Sequence, residues 1–545
     1  MKAAKNARRI KRPKTWNRRA VAVFAAVCIA FAGLTVRLAN IMTGPMADVS
    51  AAQNTGRILL GQTRGYLYDR NGVPLVNTGE QKTAVVLCCA QTIPVLRTLL
   101  ADEAALRDVK PGSVITRATE TEVPEGPCAK NVRLVTRSGE GLCRHILGYT
   151  DGDGKGVCGV EAAFDAVLTE ASGRLYAEVT LDALGQALAG DGITIRSDGY
   201  DSPAGLTLTV DSRIQRIAEK ALADSTITCG AAVVQDCMTG ELLACASVPV
   251  YDPADLTPSL NDENLPFLNR AVCAYPAGSV FKPFIAAAAL NAGLNLNDIY
   301  RCEGKITVGT REFRCYNGNV HGGETLNEAI CHSCNAYFID LGLRVGAEGV
   351  LGTCAAFGFG RSVELFPGDG AQKGYLPGAE EVRSDAQLAN LCFGQGELLV
   401  SPIQLAAAYS VFANGGVYRE PYILKELIDG SGSAYGFFRP ETEPYRVLSE
   451  EHCRYIGKCL YHNMISGTGA GGRPANTTAA GKTATAQTGR YDENGVEQLC
   501  TWFAGYFPYT APRYTVVIFN EKGRSAAVDC APVFKEIAEE IVKLG

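Results

Sequence analysis

Ser279 and Lys282 stand three residues apart in AYPAGSVFKPFIAAAAL (Ala274–Leu290), at the mouth of a long apolar helix. Residues three apart on a helical turn share a face, so the hydroxyl and the ammonium can meet. A serine hydroxyl is a poor nucleophile until a base takes its proton. A lysine is such a base when burial or a second cation keeps it neutral. Pro283 has no N–H to give, so the regular helix settles around it and Ser279 falls in a tight first turn. Alone the pair is a weak signal, because chance supplies about one or two Ser-x-x-Lys in a chain this long.

Two further pieces strengthen it. Ser333-Cys334-Asn335, in AICHSCNAYFIDLG, offers a hydroxyl and an amide two residues apart. Lys482-Thr483, in AAGKTATAQTG, lies in a strand of small residues against which a ligand can rest. Lys482 can be the second cation that lowers the proton affinity of Lys282. Asn335 can hold a substrate amide, and Thr483 and Thr485 a carboxylate. Taken singly, the bland readings are a polar loop and an exposed strand.

The elements that must position these groups follow from pattern. Period-two runs turn helical in LTLTVDSRIQRIAEKALAD, with Asp211-Ser212 as cap, and GAAVVQDCMTGELLACASV reads as a hairpin turning at Thr239-Gly240. Helices are expected near 402–414, 450–464 and 532–543, and strands near 480–488, 500–507 and 514–519. Pattern alone suggests a mixed sheet between helices. The turn residues of DGYDSPAG put the main domain boundary at 203/204.

Net charge is −5, but the first 19 residues carry nine cations and no acid, which leaves −14 on the rest. That balance argues against a nucleic-acid surface. The basic stretch (1–19) runs into the apolar AVAVFAAVCIAFAGLTV, closed by Arg37, so 20–38 is expected to be a membrane anchor in the lipid bilayer. A cleaved signal peptide is the rival, but RLANIMTG offers no convincing cleavage site. The positive-inside rule puts the N-terminus in the cytoplasm and the chain from about Met42 outside. Ala22, Ala26 and Ala30 recur every four residues, a stripe that permits close helix contact in lipid.

Twenty cysteines are scattered, often within apolar runs, as buried free thiols are. Cys331 and Cys334 form a Cys-x-x-Cys with no second pair, and HCRYIGKCLYH is a chance grouping, so no metal and no cofactor is expected. CEGKITVGTREFRC reads as two short strands around Gly309 that bring Cys302 near Cys315, close enough for a disulfide.

The order Ser-x-x-Lys, Ser-x-Asn, Lys-Thr resembles that of the penicillin-recognising serine acyltransferases. More narrowly the chain looks like a class B penicillin-binding protein, a membrane-anchored D,D-transpeptidase. RGYLYDRNG (Arg64–Gly72) and GKGVCGVEAAFD (Gly154–Asp165) are similar to motifs of that class's N-terminal pedestal. NRAVCAYPAGSVFKP, HGGETLNEAICHSCNAYF, GQGELLVSPIQLAAAYSVFANGG and WFAGYFP are similar to its transpeptidase domain.

The resemblance implies a mixed α+β chain: an elongated, mostly-β pedestal at 39–203 and a transpeptidase domain at 204–545, whose central antiparallel sheet is flanked by helices. It implies that Ser279 attacks a D-Ala-D-Ala stem peptide of peptidoglycan, Lys282 takes the proton, Ser333 relays one to the leaving group, and Asn335, Lys482, Thr483 and Thr485 bind substrate. The backbone N–H groups of Ser279 and Thr485 would form the oxyanion hole, and β-lactams would trap the acyl-enzyme. With no glycosyltransferase region recognisable, the partner implied is a glycosyltransferase of the SEDS type. The chain departs from Lys-Thr-Gly at Ala484, whose methyl is expected to narrow the slot beside the nucleophile. A β-lactamase or β-lactam sensor shares the three motifs, and a non-catalytic scaffold is the non-enzyme alternative.

Overall fold

Half of helix α1 (Lys14–Thr43) is Ala, Val, Leu and Phe, and it has no internal proline. Its stretch Arg18–Thr43 is long and apolar enough to cross a membrane once, and it lies exposed along its length. At 1.5 Å per residue it spans about 39 Å, more than the ~30 Å of a bilayer's hydrocarbon. The expected anchor, 20–38, lies inside this helix. The computed structural model describes residues 14–44, 54–100, 103–440, 442–491 and 494–545. Lys2, Lys5, Arg8, Arg9, Lys11 and Arg12 of the basic tail lie outside those described residues.

The chain packs as two units. The first takes the described residues up to Gln62, with Glu80–Leu134 and Arg174–Asp198. It carries two three-stranded sheets, Thr55–Thr63 with Gly173–Thr180 and Thr194–Asp198, and Val114–Ala118 with Gly79–Leu87 and Ala129–Thr136. Ala84, Val86, Cys88, Leu96, Val123 and Ala129 form a small core under the second sheet.

The second unit takes Thr63–Gly79, Val135–Gly173 and Gly199–Gly545. The last change of unit along the chain falls between Asp198 and Gly199, not at the expected 203/204, and two earlier segments also pack with the C-terminal unit. Helix α2 (Ser212–Ala223) begins at Asp211, whose side chain accepts the Arg213 N–H. Asp69, in the DRNG turn, is buried and accepts both the backbone N–H and the hydroxyl of Ser212.

Strands β1 (Gly230–Asp236) and β2 (Leu242–Val248) form the expected hairpin. They are joined far along the chain by β3 (Ala480–Tyr491), β4 (Glu497–Phe507) and β5 (Tyr514–Gly523). The order is β2-β1-β5-β4-β3, and every neighbour is antiparallel, so the mixed sheet suggested by pattern is corrected. Between β2 and β3 lie α3 (Lys282–Asn291), α4 (Leu326–His332), α5 (Asn335–Val345), α6 (Pro402–Ala413) and α7 (Glu450–Ser466), and α8 (Ala526–Val542) follows β5.

Alternation along the strands feeds two cores. Phe503, Phe507 and Ile518 pack with Phe534 and Ile537 of α8 and Ile214 of α2. Trp502, Val517 and Phe519 face the side that holds Phe281 and Phe284. Covered on both faces, these strands read as continuous apolar runs. Helix α8 starts six residues before its expected place, because Pro532 sits inside it rather than at its first turn.

The two segments similar to pedestal motifs meet within the second unit. Arg64 pairs with Glu161 at 3.0 Å and Asp165 at 2.7 Å, and Arg137 reaches the same Glu161 at 2.6 Å. Glu161 is thus one buried carboxylate holding two guanidiniums, and burial already lowers the pKa of Arg137. Removing one partner of a buried pair strands the others' charge. Glu161→Ala should therefore destabilise the chain by about 3–5 kcal/mol, read as a lower urea midpoint at unchanged slope. Cutting the exposed Lys220–Asp224 pair should barely move that midpoint.

Candidate active site

The turn before α3 is held from all sides. Residues Gly278–Phe281 form a single 3₁₀ turn that runs into α3 at Lys282. Gly278 has φ +61° and donates its N–H to Gly394 O at 2.8 Å. A Cβ on Gly278 would lie 3.1 Å from the Ala486 methyl and 3.3 Å from that of Ala484. Only glycine combines this backbone conformation with that clearance. Tyr409 of α6 donates its hydroxyl to Val280 O at 2.9 Å, and Trp502 of β4 donates its indole N–H to Pro276 O at 2.9 Å. Phe284 packs against Phe357, Phe359, Tyr409 and Phe412, which fixes the helix behind the turn. Ser279 sits half-buried on this support, and its hydroxyl has no hydrogen-bond partner among the described residues.

Lys282, 0% exposed, points its Nζ at the turn between α4 and α5. It donates to Ser333 O at 2.5 Å, Ser333 Oγ at 3.1 Å and Asn335 Oδ1 at 2.8 Å. Asn335 is oriented for this by its Nδ2, which donates to Arg314 O at 3.0 Å. Ser333 caps α4 in the left-handed region, φ 56° and ψ 42°, which turns its carbonyl and hydroxyl to the same ammonium. Burial lowers the Lys282 pKa to about 8. Of its three acceptors only the Ser333 hydroxyl can reverse its bond and donate to a neutral Nζ.

Lys482 is also 0% exposed and donates to Thr468 Oγ1 and to Thr483 O, both at 3.1 Å. Burial first, and Lys282 second, hold its pKa well below the ordinary lysine value. Burial is thus the main lever on both lysines. Thr468 is a member of this network that none of the three motifs marks. It also donates to Asn463 Oδ1 at 3.2 Å. The small-residue run SGTGAGG after α7 is the one sign of it in the sequence.

Strand β3 is the edge of the sheet. Lys482, Ala484 and Ala486 share its face toward the turn, and Thr483 and Thr485 the opposite one. The Thr483 hydroxyl donates to Thr468 O at 3.4 Å, and Thr485, exposed, accepts from Ala526 N–H at 3.4 Å. Ala484 is 2% exposed, with its methyl packed against Gly278. The expectation that it narrows an open slot is corrected: the methyl fills the space beneath the turn that carries Ser279.

The cysteines are all free, and all but Cys28, Cys89 and Cys158 are buried. Cys302 and Cys315 do approach, with sulfurs 3.7 Å apart, which is far from the ~2.05 Å of a disulfide bond. The left-handed turn at Ser333 parts the Cys-x-x-Cys. Cys331 stays by Thr468, whose N–H its carbonyl accepts, while Cys334 faces Cys315 at 3.8 Å.

Residues 230–539 match the family model described as penicillin binding protein transpeptidase domain. The chain is 31% identical to stage V sporulation protein D of Bacillus subtilis, over 84% of this chain and 74% of that one. It is 24% identical to the peptidoglycan D,D-transpeptidase MrdA of Escherichia coli, over 96% and 94%. A crystal structure of penicillin binding protein 3 from Mycobacterium tuberculosis, complexed with aztreonam, superposes with TM-score 0.64 at 25% identity, covering 90% of this chain and 97% of that one. A structure of a peptidoglycan synthase complex shares the fold with TM-score 0.70 at 22% identity, over 97% and 99%.

A lysine that must be neutral to accept a proton gives a pH signature. Acylation of Ser279 by a small activated ester should rise about tenfold per pH unit and level off above about 8, where Lys282 is deprotonated. In Lys282→Ala the residual rate should lose that inflection.

Proposed function

The chain belongs to the penicillin-binding protein transpeptidases, and from that premise we propose which of its side chains carry the reaction. It is a peptidoglycan D,D-transpeptidase of the class B type, working through a serine acyl-enzyme. Ser279 Oγ attacks the carbonyl between the two terminal D-alanines of a stem peptide while Lys282 Nζ takes its proton. The oxyanion is met by the backbone N–H groups of Ser279 and Thr485. Lys282 returns the proton through the Ser333 hydroxyl to the amine of the departing D-alanine, and the C–N bond breaks. An amine of a second stem peptide then attacks the ester, gives up its proton along the same route and closes the crosslink. Asn335 positions the peptide amide, and Lys482, Thr483 and Thr485 bind substrate beside the edge strand.

The observation that carries this reading is the fully buried Lys282, one side chain away from Ser333 and one helical turn from Ser279, with its pKa lowered to about 8. A base poised near the working pH loses little of its population to protonation. β-Lactams acylate the same serine.

The protein is a single-pass membrane protein anchored by α1. The basic residues of 1–19 support a cytoplasmic N-terminus, with the pedestal-type domain at 39–203 and the transpeptidase domain at 204–545 both outside the cell. The exposed Ala22, Ala26 and Ala30 stripe supports close packing against a polytopic glycosyltransferase of the SEDS type, which would polymerise the strands that this chain crosslinks.

Fluorescent penicillin should label the chain once, at Ser279, and Ser279→Ala and Lys282→Ala should both abolish the label. A label surviving in Ser279→Ala would refute the assignment, and rapid release of the label would mark a β-lactamase instead. Because the Ala484 methyl is buried under the turn, Ala484→Gly should slow acylation by small and bulky β-lactams alike. A gain confined to bulky cephalosporins would mean that the methyl faces the open slot.

A further inference from the structure

Beside the proposed catalytic groups lie four donor side chains that the reaction does not use. Cys302, Cys315, His321 and Cys334 bring three sulfurs and a ring nitrogen within 4.8 Å of one another, and all three cysteines are buried. We propose that these four residues hold a tetrahedral divalent metal ion, zinc by ligand chemistry, which braces the Ser333-Cys334-Asn335 turn against Lys282.

The spacing of the donors is the first argument. With Zn–S near 2.3 Å and Zn–N near 2.05 Å, a tetrahedral site has S···S edges of about 3.8 Å and S···N edges of about 3.5 Å. The structure gives 3.7 Å for Cys302–Cys315, 3.8 Å for Cys315–Cys334 and 3.4 Å from Cys302 Sγ to His321 Nδ1. Three soft thiolates with one imidazole suit zinc and exclude the oxygen-seeking magnesium and calcium. Four protein ligands close the coordination shell, as structural rather than catalytic zinc sites do.

The surroundings suit an ion as well. Backbone N–H groups of Gly304 and Tyr337 donate to the sulfurs of Cys302 and Cys334 at 3.3 and 3.4 Å, which favours thiolates. Glu324, 1% exposed, leaves Oε2 without a hydrogen-bond partner 3.9 Å from His321 Nδ1. An unpaired buried carboxylate oxygen is costly without a nearby cation. Among the described residues no other group of His, Cys, Asp and Glu forms such a cluster.

What the ion would do follows from where its ligands come from. Cys302 ends the strand Tyr300–Cys302, Cys315 follows the hairpin Lys305–Val308 and Arg311–Arg314, and His321 precedes Gly322–Glu324. This short excursion between α3 and α4 has little core of its own, Val308 and Phe313 being its buried apolar side chains beside the cysteines. Small elements of this kind are commonly stapled by a metal. The fourth ligand, Cys334, lies between the two residues that contact Lys282. The ion therefore ties the excursion to the turn, parallel to the Asn335 bond to Arg314 O. Binding Zn²⁺ releases the three thiol protons and involves no redox change.

The test is metal content of the full-length chain, purified in detergent under reducing conditions and reconstituted with Zn²⁺ alone. About one zinc per chain is expected for a site with four protein ligands. Cys302→Ser and His321→Ala should fall to background, whereas His321→Cys, which keeps four soft donors, and Cys453→Ser, a buried thiol elsewhere, should retain the ion. Co²⁺ in place of Zn²⁺ should give the intense visible bands of a tetrahedral thiolate site in the wild type and in His321→Cys only among the His321 variants. A wild-type chain that binds no zinc, a disulfide between Cys302 and Cys315 in the reduced preparation, or zinc that survives both Cys302→Ser and His321→Ala would overturn the site. Removing the ion should slow penicillin acylation of Ser279 at least about tenfold, the usual scale of effects from groups that orient a site. An unchanged rate would overturn the bracing role. The metal count does not depend on the transpeptidase reading, so the two can fail separately.

Discussion

An ammonium group sealed from water is the constraint around which the second unit is arranged. Lys282 cannot be solvated, so its charge must be met by groups the fold supplies, and three acceptors converge on one nitrogen. Meeting them forces the left-handed turn at Ser333 and the break between α4 and α5. A straight helix through these residues would leave the lysine with unpaired hydrogens in a low-dielectric site. Burial without full compensation is what lowers the proton affinity of the lysine.

Positioning on the opposite side is done by shape. Gly278, Gly394, Ala484 and Ala486 let a helix start, a loop and an edge strand approach within methyl contact of one another. Hydrogen bonds from Tyr409 and Trp502 then fix the backbone on either side of Ser279. Each of those large side chains is buried in the core and presents its one polar atom to the turn. Ser279 is thus placed by residues of the core.

The residues proposed for catalysis stand out in the sequence because Ser279 and Lys282 are neighbours on one turn and Ser333 and Asn335 are two residues apart. Local spacing is what a sequence displays. Strands β1 to β5 and helix caps such as Asp211 were legible for the same reason. Thr468 was not, since its tie to Lys482 spans fourteen residues with a strand start between them. Of the cysteine cluster only the approach of Cys302 to Cys315 was legible, through the hairpin between them, whereas His321 and Cys334 join it only through tertiary packing. The pair Cys331 and Cys334, which looks like a unit, is divided by one residue's φ. Pro532 misled in the opposite way, because a proline marks a helix start only when the preceding residues cannot themselves be helical.

The central sheet also carries a consequence for how the chain is made. Its second strand, β1, pairs with β2 at once but with β5 only when Asn520 can meet Gly230. Synthesis runs from the N-terminus, so the hairpin waits with an open, apolar edge while nearly all of the remaining unit is added. Contacts of such long sequence separation form slowly, and an uncovered strand edge invites pairing with another chain. During that interval Cys229, Cys237 and Cys245, buried in the finished fold, stand open to oxidation. The thiol-rich core therefore ties successful assembly to a reducing environment at the moment of birth, whatever the conditions in which the finished protein later works.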